Sequence, residues 1–220
     1  MAKLEQVSET EAQGAVRELF ESIKSTLRVS AVPLPFRVWA RFPEFLEAVW
    51  RRLEPVVRTR AFEAAADRVR ERAVDLIDDI AKLSDDLPLM RAAGLSDREI
   101  EHVRDTIAVF HYADPKLLLI SEAVRIACFE TAAAAPPPAA AAPGFGARAP
   151  EGDIPSGAPA GMMRPAVVDL EGPSPNEQVR TILGEIRTLL DLPAIPDDFL
   201  ALAQYPIYLE MAWRELKPIV

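Results

Sequence analysis

Apolar residues recur every three or four positions along most of the chain, which is the spacing of one face of an α-helix. In the opening segment Ser8 and Glu11 form a capping-box pattern ahead of such a stripe. The apolar residues of the stripe are Val16, Leu19, Phe20, Ile23 and Leu27. The pattern therefore predicts a first helix over about residues 9–28.

Prolines divide the next part of the chain into shorter elements. Because the residue before a proline is disfavoured in the helical region, Pro33 and Pro35 restart the chain in a short helix that ends near Phe42. Pro43 then suits the first position of a third helix. Residues 58–83 contain neither proline nor glycine and carry an apolar stripe, so they predict a long amphipathic helix.

Two further helices are predicted before a stretch rich in proline and alanine. A second capping box, at Ser96 and Glu99, opens one of them. Asp114 followed by Pro115 has the pattern of an N-cap and a first helical position, so a separate helix is expected over residues 116–131. Apolar and polar residues alternate at period two nowhere for long, and the predicted fold class is therefore all-α.

The strongest pattern in the chain is an internal repeat. Residues 16–57 align without a gap on residues 179–220, and 16 of the 42 positions are identical. The identical pairs include Pro33 and Pro196, Phe36 and Phe199, Ala40 and Ala203, Pro43 and Pro206, Leu46 and Leu209, Trp50 and Trp213, and Pro55 and Pro218. Such self-similarity indicates a duplicated structural unit. Two copies predict a body with a pseudo-twofold axis, whose seam is a natural place for a pocket.

The predicted domain organisation follows from the repeat. Residues 1–131 hold the first repeat, residues 132–173 form a linker rich in proline, alanine and glycine, and residues 174–220 hold the second repeat. The linker has too few bulky apolar residues to fold alone. Ser174 and Glu177 offer a capping box at the start of the second repeat. The second repeat is incomplete relative to the first, so either it is naturally short or the chain is part of a longer protein.

Composition and charge disfavour several classes of partner. The net charge is −9, with basic residues interspersed among acidic ones, which argues against nucleic acid. The N-terminus lacks an apolar targeting segment, and a run of about 18 apolar residues, as a membrane span requires, does not occur. The sequence therefore predicts a soluble protein of the cytoplasm without a membrane partner.

The cysteine and histidine content argues against redox and metal chemistry. Cys128 is the single cysteine, which excludes an internal disulfide, disfavours a thiol peroxidase, and predicts a residue that packs as a small apolar side chain. His102 and His111 lack companion ligands at metal spacing. We therefore expect no metal and no cofactor.

The positions where the two copies differ are the most informative about function. Leu34 and Pro35 of the first copy correspond to Asp197 and Asp198 of the second, in the first turn of the short helix. The first copy also carries Trp39 where the second has a leucine. One copy thus offers carboxylates and the other an aromatic wall, although the helix dipole alone also favours acids in a first turn.

The doubled block and the segment from Phe110 to Lys116 together resemble the group I 2-haloacid dehalogenases, the DehI family. The resemblance covers most of residues 9–130 and 174–220. It implies that two related helical units pack as a pseudo-twofold dimer. It also implies that an aspartate at the start of the short helix of the second unit acts as the general base, a role that falls on Asp198.

The resemblance further implies a set of residues that bind the substrate. The set consists of Phe36, Trp39, Tyr112, Asp114, Asp197 and Phe199. Asp114 stands where the family commonly has asparagine, and Asp197 stands where the family tends to have serine and is expected to face solvent as an N-cap. For the substrate carboxylate the alternatives are backbone N–H groups of the short helix, Arg37, Arg41 and Lys116.

The reaction implied by the resemblance is hydrolytic dehalogenation of short 2-haloalkanoic acids. The carboxylate of Asp198 activates a water that attacks C2, halide leaves and the configuration inverts, without a covalent ester. The expected partners are the 2-haloacid and water, with a homodimer as an additional expectation. The alternative is a non-catalytic helical module of the same fold that binds a small acid or another protein, which would cover the apolar faces of the incomplete second repeat.

Overall fold

The computed structural model of the chain describes residues 5–80, 86–130, 167–168 and 176–220. Within these residues the regular elements are helices, and the predicted all-α class is confirmed. The α-helices are α1 (Gly14–Leu27), α2 (Leu34–Trp39), α3 (Pro43–Val57), α4 (Arg60–Ile80), α5 (Asp86–Ala92), α6 (Asp97–Arg125), α7 (Glu177–Leu189), α8 (Asp197–Leu202) and α9 (Pro206–Leu216). A π-helical turn, Ile126–Glu130, continues α6.

The described residues fall into two compact bodies. The first body comprises residues 5–71 and 111–130. The second body comprises the other described residues, which run from 72 to 110 and from 167 onwards. Helices α4 and α6 each contribute residues to both bodies, and each body has a hydrophobic core of its own.

The core of the first body is built mainly from α1, α2 and α3. Its large buried residues are Phe20, Ile23, Leu27, Phe36, Leu46, Trp50 and Ile120. Phe36 and Trp50 meet edge to face with ring centroids 5.7 Å apart, an arrangement that aromatic pairs prefer. The apolar stripe of α1 therefore faces this core, as helical periodicity requires.

The core of the second body is built from the repeated helices. Helices α7 and α8 both pack against α9. The buried residues are Val179, Ile182, Leu183, Ile186, Leu209 and Trp213. A smaller cluster formed by residues of α5, α6, α9 and the turn between α5 and α6 consists of Met90, Leu95, Ile100, Val103 and Tyr208.

Corresponding positions of the two repeats have the same backbone conformation. Helices α2 and α8 are both six residues long, follow an extended proline and end at an alanine with φ −63° and ψ −14°. Helices α1 and α7 are each followed by a residue in the left-handed region, Arg28 with φ 59° and Asp191 with φ 50°. The two copies therefore share their local geometry at these helix ends, even where the residues differ, as at Arg28 and Asp191.

The paired tryptophans also make equivalent hydrogen bonds. Trp50 Nε1 donates to Ser22 Oγ at 2.9 Å, and Trp213 Nε1 donates to Glu185 Oε2 at 3.0 Å. Ser22 and Glu185 occupy equivalent positions of α1 and α7. Each copy thus satisfies the buried indole N–H from the same place in its first helix, although the acceptor differs.

Helix α6 runs through Pro115, so the predicted break at Asp114 is wrong. Proline has no N–H and leaves the carbonyl four residues earlier, that of His111, without its helical donor. The Arg70 side chain of α4 supplies a donor instead, with Nε 3.0 Å from the His111 carbonyl oxygen. A buried guanidinium therefore compensates for the proline, and Asp114 is a mid-helix residue rather than an N-cap.

Two other predicted helix starts are displaced. The capping box of Ser8 and Glu11 forms, since Glu11 Oε2 accepts the Ser8 N–H at 3.1 Å, but it closes a separate turn. Helix α1 begins only at Gly14, whose φ of 51° suits glycine. Helix α7 is capped by Asn176, whose side chain accepts a first-turn N–H at 2.9 Å, whereas Ser174 lies outside the described residues.

The segment after α6 differs from the prediction at Cys128. This cysteine is exposed, so the expectation that it packs as a buried apolar residue is wrong. It lies in the π-helical turn, where Phe129 is also 76% exposed, because the turn is not covered by the core of the first body. The predicted linker, residues 132–173, lies outside the described residues except for Val167 and Val168, and Val168 packs against the core of the second body.

Replacing Asp191 by glycine is expected to raise the free energy of unfolding by about 0.5–1 kcal/mol, because the left-handed conformation is costly for an L-residue and not for glycine. The Leu192 N–H donates to the Arg187 carbonyl at 2.9 Å across this helix end, a bond that both variants keep. Urea denaturation measures the change. Asp191→Val should lower the same quantity, and equal stability of the two variants would contradict this reasoning.

Candidate active site

Asp198, the predicted general base, lies in the first turn of α8 and is half-buried. Its Oδ1 accepts the Phe199 N–H at 2.9 Å, which restricts the orientation of the carboxyl group. Burial raises the pKa of Asp198 above its ordinary value, and the charge of Asp197 raises it further, while backbone N–H groups lower it by less. The structure thus supplies an oriented carboxylate that binds a proton more tightly than an exposed aspartate does.

The two neighbours of Asp198 on α8 have different surroundings. Asp197 is the first residue of the helix and is half-buried, while Pro196 is the N-cap, so the prediction of a solvent-facing N-cap at Asp197 is wrong. Pro196 takes this position because its fixed φ suits the extended conformation of an N-cap. Phe199 packs against the core of the second body and anchors the helix there.

Phe36 and Trp39 form an aromatic pair on α2 in the first body. Their ring centroids are 5.3 Å apart at an interplanar angle of 79°. Phe36 is fully buried, whereas Trp39 is half-buried and also meets the ring of Phe45 at 6.1 Å. Phe36 therefore supports Trp39 from within the core, and Trp39 is the member of the pair with surface available to a ligand.

Tyr112 is buried in the first body beside the ammonium group of Lys116. The Lys116 Nζ lies 2.6 Å from the Tyr112 hydroxyl and 2.9 Å from Glu63 Oε1. The Tyr112 hydroxyl is also 3.4 Å from the carbonyl oxygen of Leu27, to which it donates. Burial raises the pKa of Tyr112 and lowers the pKa of Lys116, the latter against the opposing effect of Glu63. The tyrosine is therefore a neutral, fixed hydroxyl.

The remaining predicted binding residues differ in exposure. Asp114 is exposed on α6. Among the cations considered for the substrate carboxylate, Arg41 is exposed and pairs with Glu5, and Arg37 is half-buried. Lys116 is 1% exposed and its ammonium already contacts a carboxylate. Lys116 is therefore less accessible to a small anion than the half-buried Arg37 is.

A line of charged residues on α4 was not predicted from the sequence. Glu63, Asp67 and Arg70 are spaced by four and three positions, so they share one face of the helix. Arg70 is buried and pairs with Asp67, while Glu63 pairs with Lys116. The spacing is visible in the sequence, but charged residues on one helix face are usually exposed to solvent. The sequence alone therefore gives no reason to expect that Arg70 is buried.

The predicted site residues are divided between the two bodies. Phe36, Trp39, Tyr112 and Asp114 belong to the first body, and Asp197, Asp198 and Phe199 belong to the second. Among the described residues, histidine, cysteine and acidic side chains form no group arranged to hold a metal ion. None of the helices in the described part of the chain is both long and apolar enough to span a membrane.

Comparison with known proteins identifies relatives of the whole chain. Residues 30–128 match the family described as halocarboxylic acid dehydrogenase DehI. A configuration-inverting 2-haloacid dehalogenase of Pseudomonas sp. (strain 113) is 32% identical over 218 residues, which cover 97% of this chain and 67% of that protein. An (R)-2-haloacid dehalogenase of Pseudomonas putida is 28% identical over 216 residues, which cover 97% of this chain and 68% of that protein.

A solved structure shares the fold. The structure of a D-2-haloacid dehalogenase mutant in complex with D-2-CPA superposes with a TM-score of 0.78 at 27% sequence identity. The superposition covers 100% of this chain and 72% of that chain. The all-α arrangement described above is therefore that of a known group of enzymes.

Proposed function

The chain belongs to the DehI family of 2-haloacid dehalogenases, and we propose that it hydrolyses short 2-haloalkanoic acids by direct attack of a water that Asp198 activates. One observation carries this proposal. The carboxyl group of Asp198 is half-buried, is oriented by the Phe199 N–H at 2.9 Å and has a raised pKa. The equivalent position of the first repeat is Pro35, so the acid belongs to one copy alone.

The chemistry asked of Asp198 is the removal of one proton. The water oxygen forms a bond to C2 as the bond between C2 and the halogen breaks, the bonding electrons leave with the halide, and the water proton moves to the carboxylate. Attack opposite the leaving group inverts C2, in agreement with relatives named configuration-inverting. A base whose pKa lies above that of an ordinary aspartate accepts this proton more readily.

The substrate-binding residues complete the proposal. Trp39, supported by Phe36, offers an apolar wall for the alkyl group and the halogen. Tyr112, whose buried hydroxyl is held by Lys116, and Asp114, Asp197 and Phe199 make up the rest of the proposed set. For the substrate carboxylate we propose the half-buried guanidinium of Arg37 rather than Lys116, whose side chain is 1% exposed.

A single turnover in water enriched in oxygen-18 tests the direct attack. The label is expected in the hydroxyl group of the 2-hydroxy acid and absent from the protein, because no ester to an aspartate forms. Mass spectrometry of the product and of the peptide that contains Asp198 measures both. Label in a carboxyl group of the protein after one turnover would rule out direct attack. Failure to release halide from either enantiomer of 2-chloropropionate would rule out the dehalogenase activity.

The proposal includes a cytoplasmic location and a homodimer. The dimer is supported by apolar residues of the second body that are about half exposed, namely Leu189 at 46%, Ile207 at 43% and Val220 at 56%. Sedimentation velocity tests the dimer, and cell fractionation tests the location.

A further inference from the structure

The short helix of each repeat receives a hydrogen bond from a residue that precedes the aligned block, which spans residues 16–57 in the first copy and 179–220 in the second. The Val7 N–H donates to the Arg37 carbonyl at 2.9 Å, and the Val168 N–H donates to the Leu200 carbonyl at 3.1 Å. Arg37 and Leu200 are equivalent positions of α2 and α8. The two docking valines, Val7 and Val168, are half-buried and pack against the core of their own body. The same contact thus occurs twice, with donors that lie outside the aligned 42 residues.

The reason for this contact lies in how the two short helices end. In α2 the Arg41 N–H donates to the carbonyl of Val38, three residues earlier. In a regular α-helix it would donate to the carbonyl of Arg37, four residues earlier. In α8 the Gln204 N–H donates in the same way to the carbonyl of Ala201. Both helices therefore close with a tighter turn, which leaves the carbonyls of Arg37 and Leu200 without a helical donor. A docking valine supplies the N–H donor to each of these carbonyls.

A helix of six residues depends on such contacts, because isolated helices shorter than about 12 residues are marginal in water. Asp198 lies two residues before the Leu200 carbonyl, and Trp39 lies two residues after the Arg37 carbonyl. We propose that the docking valines are positioning residues, Val168 for the Asp198 carboxylate on α8 and Val7 for the Trp39 ring on α2. This inference rests on the function proposed above.

The proposal makes a different prediction for each repeat. Val168→Pro removes the N–H donor, so α8 is less restrained and Asp198 moves towards solvent. We expect kcat to fall by about tenfold or more with little change in KM, because small displacements of a reacting group are costly. The acid limb of the pH profile should also move to lower pH as the Asp198 carboxyl becomes better solvated.

Val7→Pro should instead raise KM, because it loosens the helix that carries the aromatic wall. The effect should be smaller, since the same segment is held by Glu9, whose Oε1 accepts the Val32 N–H at 2.9 Å and whose Oε2 meets Lys24 Nζ at 3.2 Å. The matched control is Val167→Pro, at an exposed neighbour, which keeps the Val168 N–H. Val167→Pro should retain the wild-type kcat and pH profile.

Steady-state kinetics across pH and amide hydrogen exchange of α8 together decide the matter. A folded Val168→Pro enzyme with the wild-type kcat and acid limb would overturn the proposal, as would equal effects of Val167→Pro and Val168→Pro. If Val168→Pro does not fold, Val168→Gly keeps the donor but loses the packed side chain, and it should show faster α8 exchange and a several-fold lower kcat. Wild-type exchange in that variant would also overturn the proposal.

Hydrogen exchange separates this inference from the proposed function. If Asp198→Asn proves fully active, the assigned base is wrong, and the kinetic arm of the test loses its basis. Faster exchange of α8 in Val168→Pro would then still show that the docking valine restrains the helix. Slow exchange in a folded Val168→Pro protein, with Asp198→Asn inactive, would instead remove the positioning role alone.

Discussion

Asp198→Asn is expected to lower kcat by about 10³-fold while leaving the helix content unchanged, since positioned bases commonly contribute about 10²–10⁴-fold. The asparagine carbonyl is the same size as the carboxylate oxygen and still accepts the Phe199 N–H, so the geometry of α8 is preserved. What is lost is the capacity to take a proton from water. Halide release at substrate saturation measures kcat, and far-UV circular dichroism measures helix content. Turnover within tenfold of the wild type would exclude Asp198 as the base.

The same variant should be more stable than the wild type at neutral pH. Burial raises the pKa of Asp198 above 3.8, so the native state holds a proton over a pH range in which the unfolded chain has released it. The free energy of unfolding therefore falls as pH rises through this range, and it stays lower above the native pKa. Asparagine has no charge to desolvate. The stability gained by Asp198→Asn should accordingly be larger at pH 7 than at pH 4.

Asp197→Asn provides the comparison for this site. The charge of Asp197 is one of the causes that raise the pKa of Asp198, so its removal should move the acid limb of the kcat/KM profile to lower pH. Asp197→Asn and Asp198→Asn make the same chemical change one residue apart. A large loss of kcat in both variants, together with lower helix content by circular dichroism, would indicate disruption of α8 rather than loss of a base.

The helices of the repeated block are predictable from the sequence because prolines mark where they begin. Pro33 and Pro196 precede the short helices α2 and α8, and Pro43 and Pro206 open the longer helices α3 and α9, so the structure places the helix boundaries at these residues. Local rules suffice here, because the restriction of φ and the loss of an N–H act within a few residues. The position of Asp198 in a first turn follows from the same reasoning.

The course of α6 shows where local reasoning ends. Asp114 and Pro115 have the pattern of a helix start, yet the helix continues because Arg70, more than 40 residues away in the chain, donates to the His111 carbonyl. The hydrogen bond of Val168 is likewise a contact between distant residues, since its partner Leu200 lies in a helix much further along the chain. Contacts between distant residues override local preference, and no spacing along the chain reveals them.

The raised pKa of Asp198 could not be predicted either. The sequence places two acids in one turn, which by itself allows two solvated side chains stabilised by the helix dipole. Whether a carboxyl group is desolvated depends on what the rest of the body packs against it. In the structure both acids are half-buried, and burial is the largest cause of the shift. The raised pKa that suits Asp198 to act as a base therefore follows from the tertiary structure and not from the local sequence.

Glu63→Gln is expected to lower the free energy of unfolding by about 3 kcal/mol, because it leaves the Lys116 ammonium buried without its counter-charge. The two groups are 2.9 Å apart, and the lysine side chain is 1% exposed against 20% for the glutamate. The other acceptors near the ammonium are neutral, namely the Tyr112 hydroxyl at 2.6 Å and the Leu27 carbonyl at 3.5 Å in the wild type, so they do not replace the lost charge. Urea denaturation of the wild type and the variant measures the difference.

The pH dependence of Glu63→Gln identifies the cause. Burial lowers the pKa of Lys116 below 10.5, and Glu63 opposes this shift, so its removal should lower the pKa further. Between the native and the unfolded pKa the unfolded chain binds more protons, and the stability of the variant should therefore rise as the pH is raised towards 10. The wild type should show a weaker rise, because its lysine keeps its proton to higher pH.

Two further variants complete the test. Glu63→Gln combined with Lys116→Met should recover most of the lost stability, because an uncharged chain of similar length removes the buried cation. Glu47→Gln makes the same chemical change at an exposed pair with Arg51, and it should change the free energy of unfolding by only about 0.3–0.5 kcal/mol. If Glu63→Gln proves no more damaging than Glu47→Gln, the lysine is solvated in the native protein, and Tyr112 is not held by the charge pair.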